Sequence, residues 1–112
     1  MTTLAKISPY ESGELTDSMF LILLTIIRPI HGYKIMQEIK EMTDNSIIIG
    51  PATMYTTLKK MRAAQWIDEI PSDEGKILYQ ITDKGKEVLT NDYRKKKNII
   101  DIARKELGDD YE

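Results

Sequence analysis

The sequence predicts a mainly α-helical chain with a small β-hairpin, arranged as a winged helix-turn-helix followed by a long C-terminal helix. Apolar residues at helical spacing mark three helices before residue 66. Two extended runs around a glycine-containing turn follow them, and then comes one long helical segment. A helix pair joined by a short turn and followed by a hairpin is the winged helix-turn-helix arrangement. Residues 1–14 are expected to form an N-terminal arm, 15–82 the winged domain, and 83–112 a dimerisation helix with an acidic tail.

The first helix is expected to start near Thr16, a favourable N-cap that is followed by Asp17 at the positive helix end. Leu15 and Phe20 have the spacing of a hydrophobic staple. Because residues 19–27 are apolar nearly all round, this helix should be central and buried. Pro29 is expected to end it.

A second helix is predicted from about Tyr33 to Thr43, after a short connector at His31 and Gly32. Its apolar positions are Ile35, Met36, Ile39 and Met42. Asp44, Asn45 and Ser46 should break it. The β-branched run that follows, residues 47–49, either plugs the core or adds a short strand.

The third helix should open with Gly50 as N-cap and Pro51 at its first position, and run to about Gln65. Its predicted core face comprises Met54, Leu58, Met61 and Gln65. Residues 66–70 and 76–81 read as the two hairpin strands around a turn at 71–75. Thr82 is expected to cap the last helix, which ends near Leu107 before Gly108.

A second face of the third helix is short, polar and nearly uncharged, and it is the candidate for DNA contact. It carries Thr53, Thr56, Thr57, Lys60 and Ala64, with Lys59 at its edge. Threonines can reach base edges in the major groove, and lysines neutralise phosphates. The net charge is -2, but residues 45–66 contain no acid and three cations, which is the local segregation that DNA binding requires. A solvated helix face is the alternative interpretation.

Two other basic features are less specific. Lys76 is the basic candidate on the hairpin wing, although Asp73 and Glu74 at the tip would repel phosphate. Arg62 points away from the threonine face by helical geometry. The basic cluster at residues 94–97 faces several ways and is expected to be solvated or to lie near the DNA backbone.

The last helix carries a coiled-coil-like seam, which predicts a homodimer. The expected interface residues are Leu89, Tyr93, Lys96, Ile99, Ile100, Ala103 and Leu107. Ile102 widens the apolar stripe. The alternative is that the stripe only closes the core of a single chain.

Composition narrows the function classes. With no cysteine and a single histidine, the chain lacks thiolate metal sites, a Cys nucleophile and a Ser–His–Asp set, so neither catalytic residues, metal ligands nor cofactors are expected. The longest apolar run is too short to span a bilayer and residues 1–13 lack a signal-peptide pattern, so a cytoplasmic protein with no membrane partner is expected.

A winged-helix module that binds protein instead of DNA is the alternative function, favoured by the pI of about 5.5 and the acidic wing tip.

Three segments of the chain resemble the PadR family of regulators, in its subfamily with one C-terminal helix. They are His31-Gly32-Tyr33; Gly50-Pro51-Ala52-Thr53-Met54-Tyr55 with Leu58, Met61, Trp66 and Ile67; and Tyr79-Gln80-Ile81-Thr82-Asp83-Lys84-Gly85. The chain departs from the family's usual residues at several positions. It has Gly50 in place of Ser, Ala52 in place of Gly, Ile77 in place of Lys and Leu78 in place of Tyr, and Trp66 is expected to replace the Gly before the wing strand.

The resemblance implies a sequence-specific, homodimeric repressor on a two-fold double-stranded DNA site, with the third helix in the major groove. It implies that Tyr55 lies near the DNA backbone, whereas His31 and Tyr33 orient the second helix. It also implies release by a small aromatic effector at the dimer interface, where Tyr93 and Phe20 would line the pocket.

Overall fold

The computed structural model describes residues 7–108. The helices are α1 (Pro9–Ser12), α2 (Asp17–Thr25), α3 (Gly32–Met42), α4 (Pro51–Ala63) and α5 (Asp83–Leu107), and the strands are β1 (Ile30–His31), β2 (Ile67–Pro71) and β3 (Ile77–Ile81). This is the predicted class, mostly helical with a small antiparallel sheet and one long last helix. Among residues 7–108, every helix is too short or too polar to span a bilayer.

Side-chain caps set the predicted starts of two helices. The Thr16 hydroxyl accepts the Met19 amide at 3.2 Å, and the Thr82 hydroxyl accepts the Gly85 amide at 3.0 Å. Both contacts satisfy amides that have no partner within the helix. The arm contains helix α1, which Ser8 caps by accepting the Tyr10 amide. Residues 1–6 of the arm and 109–112 of the acidic tail lie outside the described residues.

The sheet has three strands in the order β1-β3-β2, all antiparallel. The predicted hairpin is confirmed as β2 and β3, with Ile67 opposite Ile81 and Pro71 opposite Ile77. The expectation of a plain connector at His31 was wrong, because Ile30 and His31 pair with Tyr79 and Leu78. A two-residue strand has no periodicity of its own, so only its distant partner reveals it.

The core lies between α2, α3, α4, the sheet and the start of α5. Its fully buried large side chains are Ile22, Leu23, Ile26, Ile35, Ile39, Met54, Leu58, Met61, Trp66 and Ile67. The predicted burial of Met54, Leu58 and Met61 is confirmed. Leu24 and Ile27 were expected to be buried but are exposed. Helices α3 and α5 pack against α2, and together they cover only part of the circumference of α2. Met42 is likewise exposed at the end of α3.

Two helices end earlier than expected. α2 stops at Thr25, before Pro29 can act on it, and α4 stops at Ala63. Gln65 is exposed with φ +65, so it belongs to a left-handed turn and not to the helical core face. Trp66 was expected to occupy the position of the family's Gly before the wing strand. The left-handed backbone that favours Gly is instead at Gln65, and Trp66 is buried.

The isoleucine run before α4 forms no strand. Ile49 is buried and Ile47 packs against the core, while Ile48 is exposed. The first of the two alternatives, a core plug, is therefore the one observed. It anchors the connection from α3 to α4 and so sets the entry of α4 into the fold.

Candidate nucleic-acid interface

The outer face of α4 is the candidate interface, and the core positions behind it determine its orientation. Because Met54, Leu58 and Met61 are buried, the opposite side of the helix faces solvent. Thr53, Thr56, Lys59 and Lys60 are all exposed there. Thr57 is half-buried, and its hydroxyl donates to the Thr53 carbonyl at 2.8 Å, which leaves its oxygen free only to accept. Ala64 is the half-buried residue that caps the helix end.

The cations around α4 divide into two groups. Within residues 7–108, neither Lys59 nor Lys60 makes an ion pair. Arg62 pairs with Glu69 on β2 at 3.4 Å, so it faces the hairpin and not the threonine side, as its angular position predicts. The exposed face of α4 therefore presents uncompensated positive charge beside small hydroxyl groups, a combination suited to a phosphate backbone.

The starts of α3 and α4 differ from the other helix starts. Helices α1, α2 and α5 each have a Ser or Thr cap and an acidic residue in the first turn. The N-caps of α3 and α4, His31 and Gly50, make no side-chain capping hydrogen bond in the described structure, and neither first turn contains an acid. Free amides and the positive end of the helix dipole favour an anion at both starts.

A groove of about 370 Å³ connects the start of α3 with α4 and the wing. Tyr55 contributes its ring, which lies so close to Gly32 that a Cβ there would be 2.8 Å from the Tyr55 hydroxyl oxygen. Lys76 of the wing lines the same groove, so Tyr55 and Lys76 share one surface. Tyr33 lines it too and is exposed, a residue that sequence reasoning assigned only to helix orientation. The signal in the sequence that could have identified Tyr33 as a groove residue is the His31-Gly32 pair directly before it, which lines the same groove.

Tyr79 forms the buried wall of this groove. Burial raises the pKa of the Tyr79 phenol above its usual value, and the nearby Glu69 and Tyr55 raise it further, while Arg62 opposes them. The phenol is therefore neutral at physiological pH and adds no negative charge to this groove.

The predicted seam on α5 falls in two environments. Leu89 packs in the core of its own chain, and Ala103 is half-buried. The exposed members are Tyr93, Ile99, Ile100 and Leu107, and Ile102 beside them is exposed too; each has more than half of its surface accessible. Large apolar side chains at this density are uncommon on a free surface.

Lys96, another predicted seam residue, is bound within its own chain. Its ammonium donates to the Leu15 carbonyl at 3.0 Å, pairs with Asp92, and lies 5.3 Å from the centre of the Phe20 ring. The Asp92 carboxylate is buried and also accepts the Leu15 amide at 3.3 Å. The pair thus satisfies both backbone groups of Leu15 and joins α5 to the residue that precedes the α2 cap.

Comparison with known proteins identifies the family of this chain. The sequence matches the profile of the transcriptional regulator PadR-like family over residues 21–91. A Lysinibacillus sphaericus protein described only as uncharacterized protein X is 34% identical over 77% of this chain and 84% of its own.

Three solved structures share the fold. A transcriptional regulator from Clostridium thermocellum superposes with a TM-score of 0.69 at 22% identity, covering 77% of this chain and 85% of its own. A PadR family regulator from Clostridium difficile gives 0.65 at 24% identity, covering 80% and 97%. A PadR family regulator from Eggerthella lenta gives 0.63 at 23% identity, covering 83% and 80%.

Proposed function

This chain belongs to the PadR-like family of transcriptional regulators, and we propose that it is a homodimeric repressor that reads a two-fold DNA site with α4. As a member of that family it is a DNA-binding regulator and not an enzyme.

The observation that carries the proposal is the acid-free outer face of α4. Thr53 and Thr56 would contact base edges in the major groove, with Thr57 accepting at its margin. Lys59 and Lys60 would contact phosphates, and the uncapped starts of α3 and α4 add amide donors for the same backbone. Tyr55 and Lys76 would contact phosphates from the groove beside the wing.

The exposed stripe on α5 supports the dimer. Tyr93, Ile99, Ile100 and Leu107 would be covered by a second copy, with Ala103 allowing close approach and Leu89 and Lys96 fixing the base of the helix to its own domain. The radius of gyration is 16.0 Å, against about 13–14 Å expected for a compact chain of this length, so part of the molecule extends from the core. A two-fold dimer would present two α4 helices to successive major grooves about 34 Å apart.

An open, mostly apolar groove of about 350 Å³ would hold the proposed aromatic effector. It is lined by Phe20, Leu24, Leu89, Thr90 and Tyr93, which include both aromatic residues expected from the sequence. Since Tyr93 also belongs to the dimer stripe, a ligand there would alter the packing of the two subunits and the spacing of their α4 helices.

The test is a titration of the protein into labelled duplex DNA from upstream of its own gene, beside a scrambled duplex, at two salt concentrations. The proposal expects at least ~10³-fold preference and a steep loss of affinity with salt. Thr56→Ala should reduce sequence preference, whereas Lys60→Ala should weaken all duplexes alike. Lys86→Ala, an exposed lysine on α5, is the matched control and should change neither.

Absence of binding to either duplex at low salt would contradict the proposal and favour a module that binds protein. A reporter gene placed behind the same upstream DNA tests the sign of regulation. Repression requires that its expression rise when the regulator is removed.

A further inference from the structure

A second concave surface lies away from the outer face of α4, between the end of α2, strand β1 and one side of α3. It is a half-open cavity of about 550 Å³, within the range of small-molecule sites. Its apolar lining comprises Leu24, Ile27, Pro29, Ile30, Met42 and Leu78, none of which is aromatic. Only Leu24 is shared with the groove around Phe20 and Tyr93, so the two are separate sites.

The rim of this cavity carries more positive than negative charge. Arg28 and Lys34 line it together with a single acid, Glu38. Neither cation makes an ion pair with any residue in the range 7–108. Two unpaired cations beside an aliphatic wall complement a molecule that has an anionic head and an apolar tail.

His31 supplies a third, independent observation. Its Nδ1 atom is buried and has no hydrogen-bond partner among the described residues, which is unusual for a buried polar atom. His31 lines this cavity and also the groove that holds Tyr55 and Lys76. The imidazole therefore borders both surfaces, and a ligand in the cavity would pack against the side chain that separates it from the groove beside the wing.

We propose that this cavity binds a small aliphatic carboxylate. The tail would pack on the apolar lining that includes Leu24 and Met42, and the carboxylate would lie near Arg28, Lys34 and His31. The absence of aromatic side chains other than the imidazole from the lining favours a flexible aliphatic tail over a flat ring. If the chain binds DNA as proposed above, a ligand in this cavity would affect the start of α3 through its N-cap residue, His31. Binding itself does not depend on that function.

The experiment is a titration of the full-length protein with decanoate, kept below its micelle concentration and followed by NMR. His31 is the only histidine in the chain, so its ring-nitrogen signals are assigned without ambiguity, and it borders the cavity. The Met42 methyl group reports on the apolar wall. We expect saturable shifts of both groups and weaker binding of decanol, which has the same tail without the charge, by about tenfold or more.

Matched variants test the cations. The double variant Arg28→Gln/Lys34→Gln should bind decanoate about tenfold more weakly or worse. The control Lys40→Gln/Lys86→Gln, which removes two exposed lysines outside the cavity, should bind as the parent does. All four positions are exposed, and a thermal melt of each variant confirms folding before the titration.

Three outcomes would overturn the proposal. One is no saturable shift, and the second is equal affinity for decanol and decanoate or for the double variant and its control. The third is a Met42 methyl shift on dilution alone with no response to decanoate, which would show that a second copy covers the cavity. DNA affinity is measured separately: failure of DNA binding with intact decanoate binding would refute the proposed function and leave this site standing.

Discussion

The two halves of α5 have the same apolar periodicity and opposite environments. In the first half, Gly85, Leu89 and Asp92 are buried against the domain. In the second half, residues 97–107, no described side chain is buried, and Ile99, Ile100, Ile102 and Leu107 are each more than half exposed. The same seam therefore closes a core at one end and remains open at the other, because the contacts that residues 13–15 make with α5 fall in its first half.

The ion pairs on α5 show the same contrast. Asp92 and Lys96 are four residues apart, as are Lys97 and Asp101. The Asp92 side chain is 2% exposed and both partners also bond Leu15, whereas the Lys97 and Asp101 side chains are 60% and 46% exposed. Equal spacing along a helix thus produces a structural link in one half and a solvated pair in the other.

The largest expected effect is that of Gly85→Ala, at the start of the first half. A Cβ at Gly85 would lie 2.1 Å from the Trp66 carbonyl oxygen, a backbone atom that cannot move aside without shifting β2. We expect the free energy of unfolding to fall by about 3 kcal/mol or more, measured by urea denaturation. Lys86→Ala, one residue later and exposed, is the control; equal stability of the two variants would contradict this packing.

Asp92→Ala should have the next largest effect on stability. It removes the acceptor of the Leu15 amide and leaves the Lys96 ammonium without its carboxylate partner, at a cost of roughly 1–3 kcal/mol. Asp101→Ala is the matched variant in the second half, and the exposed pair should contribute within about 0.5 kcal/mol. Similar losses in both variants would show that the two halves are equivalent.

Ile100→Ser tests the open half. Because Ile100 is 58% exposed in the single chain, the substitution should leave the unfolding of a dilute monomer nearly unchanged. It should weaken the dimer about tenfold or more, since each interface would lose the side chain from both copies. Sedimentation equilibrium measures this, and an unchanged association constant would place the interface elsewhere.

The smallest expected effect concerns the arm, which packs on the first half. Tyr10 stacks on Trp66 with ring centres 5.2 Å apart, and burial raises the pKa of its phenol above 10.0. A raised folded-state pKa contributes stability that is complete below the unfolded value and is lost as pH rises through the folded value. Stability should therefore decline above about pH 10, and less steeply in Tyr10→Phe. If the stability of the two proteins declined equally steeply with pH, Tyr10 would not contribute to this pH dependence.

Much of the helical framework was predictable because its causes are local. Thr16 and Thr82 cap the helices that they were expected to cap, and Met54, Leu58 and Met61 form the buried face of α4. Of the candidate interface, the exposed Thr and Lys positions on α4 follow from the same periodicity. Tyr33 and the shared groove of Tyr55 and Lys76 were missed, since they come from three different elements.

The sequence by itself determined where the helices begin, which face of α4 is apolar and where the acid-free stretch lies, because caps and periodicity act over a few residues. The tertiary structure decided the pairing of β1 with β3, the exposure of Leu24 and Met42, and the binding of Lys96 to Leu15 across 81 residues. These features depend on which distant surfaces meet. An apolar or charged position in a periodic pattern has the same appearance whether its partner is the core, another segment or solvent.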